Sequence, residues 1–307
     1  MRTRIRYGSA PSQTGDLYLP PAEGARPVAL LIHGGFWTAM LDRSQLVPLA
    51  DDLVARGYAV WNVDYRGLGE DGGGWPGTLE DAADALDALA GLAAGSVTDG
   101  QAAAGRLDLD RVVAIGHSAG GQLALWLTSR PGLPAGAPGS GGAGVPLAAA
   151  VSLAGVLDLR AADADELGAR FGDPSVPPPA GAPAPARPEL APVLADMTPH
   201  GTAAALLGGR ADDVPDRYAL ASPLERLPLG VPHLVVHGDA DTGVPPALSR
   251  TYVAAARERG DQVAYVEVPG ADHFDVIDPD HPSWQSVVRR LPDLLKTAGV
   301  ERASSTE

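Results

Sequence analysis

The sequence predicts an α/β protein with a mostly parallel eight-stranded sheet, helices on both faces and an antiparallel hairpin at its start. Three observations carry this. Short runs that are apolar throughout, as at residues 28–32 and 59–63, read as strands covered on both faces. These runs alternate with segments whose apolar residues recur at helical spacing. A third run, Val112-Val113-Ala114-Ile115, ends in Gly116-His117-Ser118-Ala119-Gly120 and turns at once into the helical pattern Gln122-Leu123-Ala124-Leu125-Trp126-Leu127.

The elements follow in order. Residues 3–7 and 16–19 alternate polar and apolar, as the hairpin at a sheet edge should. After strand 28–32, residues 44–56 read as a helix stopped by Gly57, and 59–63 as another buried strand. Residues 78–92 are helical, with Thr78 as N-cap and acidic residues in the first turn. The strand ending at Ser118 and its helix come next, then a strand at 147–153. Strands at 234–237 and 263–268 flank a helix at 247–259, and a helix at 283–297 closes the pattern. Two insertions interrupt it: a Gly/Pro/Ala loop at 132–144, and residues 161–227, read as a cap within one domain spanning 1–302. Inside the cap, 174–192 is dense in proline, which cannot donate to a helix or sheet ladder and is expected to form extended surface chain or a mobile flap. Insertions at the carboxyl ends of strands lie over the active site in such sheets. Residues 303–307 are expected to be a disordered tail.

The chain has 307 residues, 45% of them apolar, a formal charge of -15 and no cysteine. The charge disfavours nucleic acid and anionic membrane surfaces as partners. Without cysteine there are neither disulfides nor thiolate metal sites. The N-terminus is basic but alternating, so it reads as a strand and not a secretion signal, and a cytoplasmic enzyme is expected.

A serine on a tight strand-to-helix bend has its Oγ lifted off the sheet, but it needs a base, itself oriented by a carboxylate. Ser118 is the expected nucleophile, with its partners after later strands in the order acid, then histidine. Asp241 follows strand 234–237 and is favoured as the acid over Asp239, although either can instead cap the helix beginning near Pro246. His273, in the loop after strand 263–268, is the expected base. His281 reads as a helix entry and His237 as a strand-end structural residue. The turn His33-Gly34-Gly35-Phe36-Trp37 can aim backbone N–H groups at the serine, which makes Gly35, Phe36 and Ala119 the expected oxyanion hole. Phe36 and Trp37 serve either core packing or the acyl pocket, and Trp75 either that pocket or the packing of its own loop; Trp37, Trp75 and Phe274 are the expected pocket residues. Asp275, Asp278, Asp280 and His281 read as an acidic helix-entry loop rather than a metal site. The glycine-rich segment 69–75 lacks the lysine of a phosphate loop.

Together, His-Gly-Gly-x-Trp from His33, Gly-His-Ser-Ala-Gly-Gly from Gly116, His-Gly-x-x-Asp-x-x-Val-Pro from His237, and Asp272-His273-Phe274 resemble the α/β-hydrolase superfamily. Within it they are most similar to small esterases and the arylformamidases (kynurenine formamidases). The resemblance covers residues 7 to about 298, with the Pro-rich segment unmatched. Phe36 stands where the hormone-sensitive-lipase type has a third glycine, and the propeller domain of prolyl peptidases is missing. The resemblance implies a serine hydrolase of a small ester or formamide-type amide, acting without cofactor or metal. A carboxylesterase of unrelated substrate is the alternative. A non-catalytic ligand receptor on the same fold is a further one, disfavoured because Ser118, Asp241 and His273 are all present.

Overall fold

A computed structural model describes residues 1–142, 144–178 and 181–304, with 98–99 and 297–304 described by their backbone alone. The strands are β1 (Arg2–Arg6), β2 (Thr14–Tyr18), β3 (Arg26–Ile32), β4 (Ala59–Val63), β5 (Leu107–His117), β6 (Ala149–Leu153), β7 (His233–Gly238) and β8 (Val263–Val268). They form one eight-stranded sheet in the order β1-β2-β4-β3-β5-β6-β7-β8. β1 and β2 pair antiparallel, β2 joins β4 antiparallel, and every later pairing is parallel.

The wholly apolar runs are explained by the two faces they serve. In β3, Val28, Leu30 and Ile32 point into one core cluster, while Ala29 and Leu31 point into the other. In β5, Val112 and Ala114 share the first cluster, Val113 and Ile115 the second. One face is covered by α2 (Gly77–Ala93) and α3 (Ala119–Thr128), with Trp61, Leu86 and Trp126 buried between them and the sheet. The other is covered by α1 (Val47–Ala55) and the last helix, running from Pro282 to Ser304, around Leu49, Leu53 and Trp284. Each such side chain contributes on the order of 2 kcal/mol by leaving water.

Several boundaries differ from the sequence reading. The helix expected at 44–56 is a 3₁₀ turn at Arg43–Leu46 followed by α1, because Pro48 lacks an N–H and fits only the first helical turn. Thr78 lies inside α2 and does not cap it; its hydroxyl donates to Arg66 O and accepts from Gly74 N instead. The expected tail also moves: Ala303 and Ser304 still belong to the last helix, and 305–307 lie outside the described residues.

Among the described residues, the entry to the cap and the cap itself hold the short α-helices α4 (Leu159–Ala164), α5 (Ala191–Met197), α6 (Thr202–Leu207) and α7 (Pro215–Ala221). Ala162, Leu206, Leu207 and Tyr218 join the same core as α2 and α3, so these parts of the cap are welded to the body. Among its described residues, the Pro-rich segment contributes none to that core and is mostly exposed. It is nevertheless anchored: the N–H groups of Ala186 and Arg187 both donate to Met40 O, at 2.7 and 3.2 Å. From α7 the chain passes to β7, α8 (Pro246–Glu258) and β8; counting the helix from Pro282 as α9 completes the fold.

A buried charge cluster ties the hairpin to the segment before α1. Arg43 Nε donates to Asp16 Oδ2 at 2.8 Å, Arg43 also pairs with Asp64, and Arg2 and Arg4 reach Asp16 from β1. Burial alone would raise the Asp16 carboxyl, but the hydrogen bonds from Arg43, Arg2 and Arg4 hold it at about 2. Its stabilising effect is therefore full above the unfolded carboxyl value of about 4 and is lost as pH falls through the folded one. Asp16→Asn is expected to cost about 2 kcal/mol near neutral pH. In denaturant melts, the gap to the parent should close between pH 4 and 2; a gap independent of pH would contradict this.

Candidate active site

β5 ends at His117, and Ser118 caps the following helix with φ 55° and ψ -119°. A non-glycine residue rarely adopts that backbone, and here its surroundings enforce it. The Ser118 N–H donates to Leu153 O at the end of β6, and Ser118 O accepts from Gly121 N. The bend also needs Gly120, where a Cβ would lie 2.1 Å from Ile32 O. The serine is 2% exposed.

His273 lies in the loop after β8. That loop is shaped by Asp239 Oδ1, which accepts from Gly270 N at 2.6 Å, and by Asp272 Oδ1, which accepts from the N–H groups of Phe274 and Asp275. His117, the neighbour of Ser118, donates from Nε2 to His273 O at 2.9 Å, and the two rings are 4.7 Å apart. Burial, reinforced by the nearby His273, pushes His117 down to about 3, so it acts as a neutral donor. The Ser118 turn and the His273 loop are thus bolted together.

The His273 Nδ1 atom donates to Asp241 Oδ2 at 2.7 Å. Asp241 Oδ1 accepts from Gly243 N and Val244 N, each at 2.8 Å. His237 Nε2 reaches Oδ2 as well, at 3.0 Å. Burial would raise this carboxyl; the hydrogen bonds from His237, His273 and Val244 N override it and hold the group well below the usual carboxylate range. The two acids after β7 therefore differ in use, since Asp239 braces the histidine loop while Asp241 touches the imidazole. The contact of His237 with Asp241 was not foreseen in the sequence. Its only signal there is the four-residue spacing across the turn.

The turn after β3 runs through Gly35, Phe36 and Trp37 with φ of 109°, 53° and 57°. Gly34 N donates to Gln45 Oε1, and Gly35 O accepts from both the N–H and the hydroxyl of Thr38. A Cβ on Gly34 would sit 3.0 Å from the Ser118 Cβ, so this turn packs directly on the serine. Among the described residues, no protein acceptor is found for the N–H groups of Gly35, Phe36 and Ala119.

The expected pocket residues separate. Trp37 does not line a pocket: it is 0% exposed in the core and its Nε1 donates to Gln122 Oε1, locking the turn to α3. Trp75 is taken up by the cap, with its N–H donating to Leu206 O and the Arg217 guanidinium 5.7 Å above its ring. Phe274 lies beside the candidate base. Its ring lies 5.1 Å from that of His273, and it borders a cavity of about 250 Å³ with Leu41, Pro48, Ile277 and, from the Pro-rich strap, Pro183 and Ala184. On the turn itself, Phe36 meets Phe171 of the cap edge-on at 5.2 Å. In the acidic loop, Asp275 accepts from Asp272 N and Asp278 from Asp280 N, while His281 pairs with Ser283, all serving local turns. Among the described residues no helix is long and apolar enough to cross a membrane.

Residues 29–284 match the model of the alpha/beta hydrolase family. Esterase LipQ of Mycobacterium tuberculosis is 28% identical over 267 residues, which cover 85% of this chain and 54% of that protein. Esterase LipC of the same organism is 27% identical over 288 residues, covering 90% of this chain and 60% of its own. The chain thus spans little more than half the length of these relatives. A truncated carbohydrate esterase from gut microbiota superposes with a TM-score of 0.72 at 21% identity, covering 96% of this chain and 95% of that one. Esterase B from Lactobacillus rhamnosis gives 0.70 at 20% identity, covering 99% and 88%. These structures share the fold.

Proposed function

The chain belongs to the alpha/beta hydrolase family, and from that premise we propose that it is a serine esterase cleaving small carboxylic esters through an acyl-enzyme on Ser118. The observation that carries the reading is the His273–Asp241 hydrogen bond at 2.7 Å beside a serine held on a strained strand-to-helix bend.

In this mechanism Ser118 Oγ attacks the ester carbonyl while His273 Nε2 takes its proton, and Asp241 stabilises the imidazolium that forms. The carbonyl π electrons move to oxygen, where the N–H groups of Phe36 and Ala119, with Gly35, receive the negative charge. Collapse expels the alcohol, which leaves with the proton from His273. Water, deprotonated by the same imidazole, then attacks the acyl-enzyme, releasing the acid and restoring the serine. Every group required is a side chain or backbone amide of this chain, so the proposal involves no metal or cofactor.

A second reading, hydrolysis of an aryl formamide, draws on the aromatic pair Phe36–Phe171 over the turn. Turnover on a p-nitrophenyl ester chain-length series beside N-formylkynurenine separates the two. The esterase reading expects higher kcat/KM on the short esters, and dominance of the formamide would overturn it. The same series tests the strap. Removing residues 181–184 strips one wall of the cavity beside Phe274. It should change stability by only about 1 kcal/mol, because few core contacts are lost. KM should move more for hexanoate than for acetate, since the strap restricts the larger pocket. An unchanged KM across the series would place the strap away from the substrate.

A further inference from the structure

Asp241 carries two imidazoles on one oxygen. His237 Nε2 lies 3.0 Å from Asp241 Oδ2, the atom that His273 Nδ1 reaches at 2.7 Å, and also 3.0 Å from Val244 O. Both neighbours of Nε2 are acceptors, so the His237 proton sits there. Nδ1, 2.7 Å from Ser249 Oγ on α8, accepts the hydroxyl proton. His237 and Ser249 are both 0% exposed, and an unpaired imidazole in that position would be costly.

We propose that His237, with its tautomer set by Ser249, is a positioning residue that orients Asp241 and takes a share of its charge. The inference rests on the reading of Asp241 as the acid of the serine hydrolase. Two effects follow. Oδ1 is pinned by backbone N–H groups, and His237 pins Oδ2, so the carboxylate cannot pivot away from His273. Two N–H donors on one oxygen also divide its negative charge. His273 is otherwise faced by the neutral His117 ring, while the carboxylate of its chain neighbour Asp272 is held by the N–H groups of Phe274 and Asp275. His237 is faced by Asp241 and Ser249, interacts electrostatically with His117, and has beside it on the adjacent strand Glu267, its register partner on β8, whose carboxylate pairs with Arg250.

The test compares His237→Leu, which removes the donor, with His237→Gln, whose amide nitrogen reaches a similar position, and with Ser249→Ala. Asp241→Asn runs alongside. Each is assayed on p-nitrophenyl acetate for kcat, KM and the pH dependence of kcat/KM, with thermal melts as the folding check. His237→Leu should lower kcat about 10- to 100-fold through misplacement of the acid and base, with KM within about twofold. The acidic limb should move to higher pH, because the undivided charge of Asp241 favours the imidazolium. His237→Gln should recover most of kcat and return the limb towards its parent position. Ser249→Ala weakens the His237 donor without removing it and should move the limb the same way by less; it decides the matter if His237→Leu does not fold. Parent kcat and limb in His237→Leu would overturn the proposal. So would equal losses in the Leu and Gln variants with an unmoved limb, since a space-filling role predicts that. A fully active Asp241→Asn would instead overturn the underlying serine-hydrolase reading. An inactive Asp241→Asn beside an intact His237→Leu would remove this inference alone.

Discussion

Ser118→Ala is expected to lower kcat by about 10⁴-fold or more while leaving the protein folded. The fold should survive because the bend is held by backbone bonds, from Ser118 N to Leu153 O and from Gly121 N to Ser118 O, and by Gly120 against Ile32 O. Alanine keeps all of these and carries the same backbone strain as serine. What disappears is the covalent path. Residual turnover should come from water attacking an ester still held against the N–H groups of Phe36 and Ala119, so KM should change far less than kcat. Steady-state kinetics with a melting curve on the same preparation check this, and a kcat within tenfold of the parent would remove Ser118 as nucleophile.

Asp241→Asn should cost about 10³- to 10⁴-fold in kcat. The size follows from counting donors. Asp241 accepts from two backbone N–H groups on Oδ1 and from His273 and His237 on Oδ2. An asparagine has one acceptor and one donor end. The backbone N–H groups cannot reverse, so the amide oxygen must stay with them and the NH₂ must face the imidazoles. His273 then has to offer a lone pair at Nδ1, which puts its proton on Nε2, where it cannot take one from the serine. Asp239→Asn is the control: its side-chain oxygen can still accept from Gly270 N, so kcat should stay within a few-fold. Comparison of the two variants by kcat decides between the carboxylates, and the reverse ranking would show that Asp239 is the acid.

The parts of the fold that were legible in the sequence have strong, redundant signals. β3 and β5 are apolar at every inner position because both faces are covered, and α8 begins beside the proline pair its sequence offers. Residues whose local preference had a competitor were less legible. Thr78 looks like a cap, yet its hydroxyl is drawn to Arg66 O, and Pro48 delays α1 by a turn. The cap helices are six or seven residues long, too short to show a helical period, and their burial depends on a body that is distant in sequence. In the candidate site, Ser118, Asp241 and His273 lie after the carboxyl ends of β5, β7 and β8, positions that the strand patterns of the sequence already mark. For Trp37 the sequence allows both core packing and the acyl pocket; its side chain turns inward to Gln122. The link between His237 and Asp241 depends on a turn closing, which residue types alone do not report.

The most direct test of the central claim is peptide mass spectrometry of the protein after reaction with a fluorophosphonate. A nucleophilic Ser118 beside His273 and Asp241 predicts one phosphonyl adduct, on the peptide containing Ser118, formed together with loss of esterase activity and absent from Ser118→Ala. An adduct on any other residue, or an unmodified protein that still turns over esters, would contradict it.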